Sequence, residues 1–232
     1  MRYLIAGTCR NITPTWERVK QSLFRIFDTV KDYTCVIVES NSNDNTLELL
    51  NSWNAPNVKI LSLGNLSGSR TQRIARCRNE YLKYIDGHDM MLVVDLDDVL
   101  VIQPNFEEQL NSCFTRSDWD GIGSNRTGIY YDLWALRSKQ LGFDFDCWDM
   151  LARNDKKWIG KIKNSYQHFV GQYFKVLVAD GSWIECQSAF CGMALYKIPS
   201  IRRRVYDGNT TCEHVSFNSG LRMFINTKFM SG

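Results

Sequence analysis

Four stretches in the first half of the chain carry apolar runs bounded by polar turns: "RYLIAG" (2–7), "CVIVES" (35–40), "VKILSL" (58–63) and "MMLVVD" (90–95). Met90 to Val94 is apolar without interruption, the pattern of a strand buried on both faces of a sheet. Helical signals separate the runs. Pro14 after Thr13 predicts a helix to about Val30 with Thr13 as its cap, and "NDNTLELLNSW" (43–53) and "SRTQRIARCRNEYLKYI" (69–85) predict two more. This alternation with short connections predicts an α/β fold: a Rossmann-like, mixed but mostly parallel central sheet flanked by helices.

After Asp98 the pattern changes. Pro104 starts a short helix, and "WDGIGSN" (119–125) and "GIYYDLWALRS" (128–138) predict strands. Residues 138–180 read as irregular, with "NDKK" (154–157) as a turn. "WIECQSAFCGMALYKI" (183–198) predicts one or two strands interrupted at Gly192, and "TTCEHVSFNSGLRMFINTKF" (210–229) a loop and a closing strand. Without repeats or a linker-like stretch, residues 1–232 are expected to form one domain.

Composition narrows the function classes. The net charge of +3 is too small to argue for nucleic acid or an anionic membrane surface as a partner. The eight cysteines show neither a CxxC pair nor metal-ligand spacing, which fits reduced thiols in a reducing compartment. No apolar run is long enough to span a bilayer and no signal peptide is recognisable, so a cytoplasmic location is expected.

The apolar run at 90–94 ends in Asp95, Asp97 and Asp98. Like charges packed at a strand end repel one another unless a cation or a proton neutralises them. Two chemistries use such a loop. One is a DxD site in which Mn²⁺ or Mg²⁺ is held by carboxylates and a diphosphate. The other is the nucleophile loop of haloacid dehalogenase-type phosphatases, with Asp95 attacking and Asp97 as general acid. Against the second, Val99 stands where Thr is usual, the loop lies far from the N-terminus, and no acidic pair follows downstream.

Other strand ends and loops supply candidate nucleotide contacts. After the first strand come Gly7 for close backbone approach, Thr8, and Arg10 within reach of a phosphate. Glu39 ends the second and can accept from a ribose hydroxyl or a base N–H. Arg70, Arg73 and Arg76 recur at spacing three on one helix face, with Arg78 following, and guanidinium groups bind diphosphate with paired donors. Glu213 and His214 in "TCEHVSFN" offer a late metal ligand, with His214 one of only three histidines. Asp207 in "VYDGN", or Glu213, is a candidate catalytic base. Tyr130, Tyr131, Trp134, Trp148 and Trp158 suit sugar stacking, although aromatics more often belong to a core.

In order along the chain, "ESNSNDNT", "RIARCRNEYL" and "LVVDLDD" resemble the GT-A glycosyltransferases, whose family-2-like members run D-G-S-x-D-x-T, A-R-N, D-x-D-D. "YYDLWALR", "FCGMALYK" and "CEH" are similar to a narrower set, the cryptococcal capsule-type mannosyltransferases and the glycosyltransferases of large algal viruses. The resemblance implies a GT-A fold using a nucleotide sugar and Mn²⁺ or Mg²⁺, in the host cytoplasm if the source is viral. Asp95 and Asp97 match the DxD positions, Arg78 the Arg near the nucleotide, and Glu39 the acidic residue after the second strand. His214 falls where a final metal ligand is often placed, and Asp132 and Trp134 in the strand that borders the acceptor. "FCGMA" lacks the Trp and Asn of the capsule family's C-W-N-G, so mannose and GDP do not carry over. The resulting expectation is a metal-dependent transfer from a UDP-sugar, with GDP as the alternative carrier, to a glycan or glycoprotein acceptor. Residues 1–100 would hold the nucleotide and 101–232 the acceptor. A catalytically inactive nucleotide- or glycan-binding domain is the remaining alternative.

Overall fold

The computed structural model of the chain describes residues 1–53, 55–158, 171–173 and 175–232. The four early strands are β1 (Tyr3–Cys9), β2 (Tyr33–Glu39), β3 (Val58–Ser62) and β4 (Met90–Asp95). They pair in parallel in the order β3-β2-β1-β4. The sheet then continues with β9 (Met193–Lys197), antiparallel to both β4 and β5 (Gly121–Asn125). Beyond β5 lie β10 (Met223–Met230), parallel to it, and β8 (Trp183–Cys186), antiparallel to β10. The result is an eight-stranded mixed sheet; β6 (Ile129–Tyr130) and β7 (Lys175–Val176) form a separate ribbon.

Helices cover both faces, which is why β4 reads as continuously apolar. Met91 and Val93 point to one side, into a cluster with Ala75, Cys77 and Tyr81 of α3 (Arg70–Leu82). Met90, Leu92 and Val94 point to the other, against Val19, Leu23 and Ile26 of α1 (Trp16–Val30) and Phe106 and Leu110 of α4 (Phe106–Ser112). The remaining helices are α2 (Thr46–Ser52), α5 (Cys147–Trp158), α6 (Ile198–Ile201) and α7 (Glu213–Asn218). The start of α3 is locally encoded: the Ser69 side chain accepts from the Gln72 amide and Gln72 returns the bond, a reciprocal capping box.

Several local expectations are corrected. Thr13 is not a helix cap: Thr13–Thr15 form a 3₁₀ turn containing Pro14, and α1 begins at Trp16. The 128–138 strand shortens to Ile129–Tyr130, because Asp132 turns the chain by accepting the Ala135 amide. Residues 154–157 are helical, within α5, rather than a turn; their side chains and that of Trp158 lie outside the described ones. Glu213 opens a helix instead of lying in a loop. The interruption at Gly192 holds: β8 ends at Cys186, β9 begins at Met193, and Gly192 takes φ +87° between them.

The register fixes where chemistry can occur. Thr8 of β1 stands level with Asp95 of β4, and Cys9 with Glu39 of β2, so three strands deliver their polar ends to one edge of the sheet.

Candidate active site

A cleft of about 400 Å³ opens at that edge. Thr8 and Arg10 enter from the end of β1, Arg70, Arg73 and Arg78 from α3, and Asp95 and Asp97 from the end of β4. The second half of the chain contributes Asp132, Trp134, Glu213 and His214. Gly7, Glu39 and Asp207 are not among the lining residues. A Cβ on Gly7 would stand 2.7 Å from the Leu96 side chain, so its smallness serves strand packing below the cleft. Glu39 accepts from Ser62 Oγ at 2.6 Å and from the Ser42 amide at 3.0 Å, which ties the end of β2 to β3 and to the following turn. Asp207 accepts from the Asn209 amide at 3.0 Å within its own loop. Arg76, third of the spaced arginines, turns away to the Ser67 carbonyl.

The centre of the cleft floor is Arg78, 3% exposed. Its Nη2 donates to Asp95 Oδ1 at 3.1 Å, its Nε to Glu213 Oε1 at 3.1 Å and its Nη1 to Tyr81 Oη at 3.3 Å. The guanidinium also lies over the rings of Phe190 and Tyr206, at 5.1 and 5.7 Å from their centroids. Burial alone would lower its pKa; Tyr81, Glu213 and Asp95 outweigh that and hold it firmly charged. Three donors are thereby committed within the protein, leaving Arg70 and Arg73 as the cleft's other guanidinium groups on this helix, with Arg73 Nη1 donating to the Gly68 carbonyl.

The acidic groups are held differently from one another. Burial pushes the Asp95 carboxyl up to about 7, opposed by Arg78 and reinforced by Asp97 and Asp132. Asp97 is exposed at the rim, with Oδ1 accepting the Val99 amide at 3.1 Å. Asp132 accepts from the amides of Cys191 (3.1 Å) and Ala135 (3.3 Å), so its carboxylate anchors the turn before β9.

His214 is 2% exposed and stacks on Phe190 with ring centroids 3.8 Å apart. Burial, and then the Arg78 charge, lower its pKa well below the usual imidazole range, so the ring is neutral. Both ring nitrogens are buried without a hydrogen-bond partner. A buried polar atom left unpaired costs roughly 1–3 kcal/mol; His88 has both ring nitrogens unpaired too, and what sets His214 apart is that it lines the cleft. Among the described residues no group of three or more His, Cys, Asp and Glu side chains forms a metal cage by itself. Asp95 and Asp97 at the strand end are the hard oxygen donors that a divalent cation takes together with a bound anion, and His214 is a nitrogen donor lining the same cleft.

Tyr131, singled out in the sequence only as an aromatic suited to sugar stacking, also lines the cleft, as do Phe190 and Cys212, which stand in the "FCGMALYK" and "CEH" stretches without a role assigned to them. Phe190 reaches the cleft just before β9, which returns antiparallel beside β4, a pairing that residue spacing does not encode.

Residues 9–112, from the end of β1 through α4, match the profile of glycosyl transferase family 2. No curated protein matches the sequence. Among solved structures, a mannosyltransferase from Pyrobaculum calidifontis in complex with GDP-Man and Mn²⁺ is 11% identical with a TM-score of 0.59; the match covers 99% of this chain and 55% of that one. TarS of S. aureus in complex with UDP is 14% identical at TM-score 0.56, over 98% of this chain and 58% of that one. The fold is GT-A. A third GT-A structure, glucosyl-3-phosphoglycerate synthase from Mycobacterium tuberculosis with Mn²⁺, UDP and phosphoglyceric acid, is 13% identical at TM-score 0.50, over 93% and 62% of the two chains. The chain thus spans little more than half the length of the GT-A structures it resembles. No helix among the described residues is long and apolar enough to cross a membrane.

Proposed function

We propose that this protein is a metal-dependent glycosyltransferase that moves a sugar from a nucleoside-diphosphate sugar to a glycan or glycoprotein acceptor. UDP is the favoured carrier, by resemblance to the viral enzymes, and GDP the alternative. The observation that carries the reading is the convergence, in one cleft at the carboxyl edge of the sheet, of Asp95 and Asp97 with Arg70, Arg73 and the unpartnered imidazole of His214. Carboxylates that need a cation, guanidinium groups suited to phosphate and a free nitrogen ligand are the donor set for a metal–diphosphate clamp.

In this reading Asp95, Asp97 and His214 hold Mn²⁺ or Mg²⁺. Such a cation, when bound, neutralises charge on the departing diphosphate. Arg70, Arg73 and Arg10 bind phosphate oxygens, and Thr8 lies at the nucleotide end of the cleft. Arg78 acts beneath them, orienting Asp95 rather than touching the nucleotide. Asp132 and Trp134 border the acceptor. Glu213 is committed to Arg78 and Asp207 stands outside the cleft lining, so neither enters the proposed mechanism as a free base. The phosphatase alternative would need Asp95 as a free nucleophile, whereas its Oδ1 is ion-paired to a buried guanidinium on a GT-A fold.

The test is a thermal-shift titration with UDP, GDP and CMP, each with and without Mn²⁺. A ligand that binds only the folded state raises Tm by mass action. The expected result is a rise with one nucleotide that requires Mn²⁺ and disappears in Asp97→Ala. Stabilisation by no nucleotide would remove the glycosyltransferase reading. Stabilisation without sugar transfer would leave a nucleotide-binding domain.

A further inference from the structure

Trp134 lines the cleft, and Arg70 from α3 lies over its ring at 5.9 Å from the centroid. Trp148, in the first turn of α5, sits beside it, with ring centroids 6.0 Å apart and planes at 80°. Trp148 is 49% exposed. An indole left half in water forfeits much of the burial that makes tryptophan useful in a core, whereas an exposed indole joined to a cleft is a recognition surface.

The backbone under Trp148 is fixed with unusual care. Asp146 Oδ1 accepts the amides of Trp148 (2.9 Å) and Asp149 (3.2 Å). Its other oxygen, Oδ2, accepts from Arg137 Nη2 at 2.9 Å and from the Thr211 hydroxyl. Thr211 in turn directly precedes Cys212, Glu213 and His214, which line the same cleft. One carboxylate therefore locks the start of α5 to the segment that carries His214. Arg137, Asp146 and Trp148 themselves have no part in the nucleotide clamp proposed above.

We infer that Trp134 and Trp148 form an acceptor subsite for an oligosaccharide of at least two sugar units, an inference that rests on the glycosyltransferase reading above. Pyranose rings present an apolar C–H face and a polar rim, which matches an indole face beside Arg70. The sugar receiving the transfer stacks at Trp134, and the unit behind it stacks on Trp148 outside the cleft. The Asp146 network holds the ledge rigid relative to His214, so little ordering is lost when the second sugar binds. The continuity of the two rings with the cleft favours a glycan over a peptide at this surface.

The experiment uses the full chain loaded with Mn²⁺ and the nucleoside diphosphate that raises its Tm, applied to an array of mono- and oligosaccharides, with affinities for captured sugars read by tryptophan fluorescence. The expected result is capture of oligosaccharides but not of the matching monosaccharides. Trp148→Ala should weaken that affinity about tenfold, Trp148→Phe should largely restore it, and the nucleotide-induced rise in Tm should be the same in all three proteins. Equal binding of monosaccharides, undiminished binding by Trp148→Ala, or no captured oligosaccharide while the nucleotide shift persists would each overturn the subsite. Loss of the nucleotide shift in the wild type would instead overturn the transferase reading beneath it.

Discussion

At the scale of single residues, Arg78 decides the electrostatics of the site. It neutralises two carboxylates from distant parts of the chain, one at the end of β4 and one at the start of α7. Breaking a buried ion pair by removing one partner costs about 3–5 kcal/mol, because the remaining charge is stranded. Arg78→Met is therefore expected to lose stability of that order in urea unfolding, with Arg78→Lys recovering part of it by reaching one carboxylate. A wild-type midpoint for Arg78→Met would show that the guanidinium is not what balances Asp95 and Glu213. Proton linkage gives a second expectation. Asp95 titrates near 3.8 unfolded and about 7 folded, so the native state binds the extra proton between those values. Its contribution to ligand-free stability falls as pH rises through that window. Cation binding competes with the same proton, so the Mn²⁺-dependent rise in Tm should grow as pH increases through about 7 and shrink at about 6. His214 acts with the opposite sign: kept neutral when folded, it withdraws stability as pH drops below the unfolded imidazole value of 6.5. Melting curves across this range, with and without Mn²⁺ and nucleotide, separate the two.

At the scale of elements, the segment before α7 is pinned along α3. Asn79 exchanges two hydrogen bonds with the Tyr206 backbone, at 2.9 and 2.8 Å, and Thr71 Oγ1 donates to the Gly208 carbonyl at 2.7 Å. Gly208 is required by proximity: a Cβ there would lie 2.2 Å from the Thr71 carbonyl oxygen and 2.7 Å from the Gln72 amide nitrogen, both backbone atoms of a helix. Gly208→Ala should cost about 1–3 kcal/mol and, by lifting the segment off α3, weaken the Mn²⁺-dependent nucleotide shift as well. An unchanged shift in a destabilised protein would separate this contact from the site. This packing also marks what the sequence made legible. β4 and the boundaries of its acidic loop followed from apolar continuity alone, and the Ser69 cap from a local motif. Glu213 is paired to Arg78, 135 residues away, and the turn at Asp132, closed locally on the Ala135 amide, is tied to Cys191, 59 residues away. Periodicity carries no trace of them. Likewise Arg78 was readable as a site residue from its motif, but not as a buried bridge, since Glu213 is its second anchor.

At the scale of the whole molecule, all eight cysteines are buried and free. Burial raises the thiols of Cys9, Cys35, Cys113, Cys186 and Cys191 far above the ordinary range, which suppresses the reactive thiolate. The folded protein should show no rapid reaction with a thiol reagent such as Ellman's, and eight equivalents should appear on unfolding; a fast-reacting thiol in the native state would contradict the packing. The order of the sheet has a consequence of a different kind, for synthesis on the ribosome. β9 lies in the middle of the sheet, between β4 and β5, yet almost the whole chain must be made before it exists. Until then the long apolar edge of β4 stands open, a template for pairing with other chains. The parallel block that carries the acidic loop must therefore wait for the last part of the chain to close it. Nascent chains truncated near residue 190 should depend on chaperones and aggregate when released, while chains extended through β9 cover the edge of β4 and those extended through β10 complete the sheet.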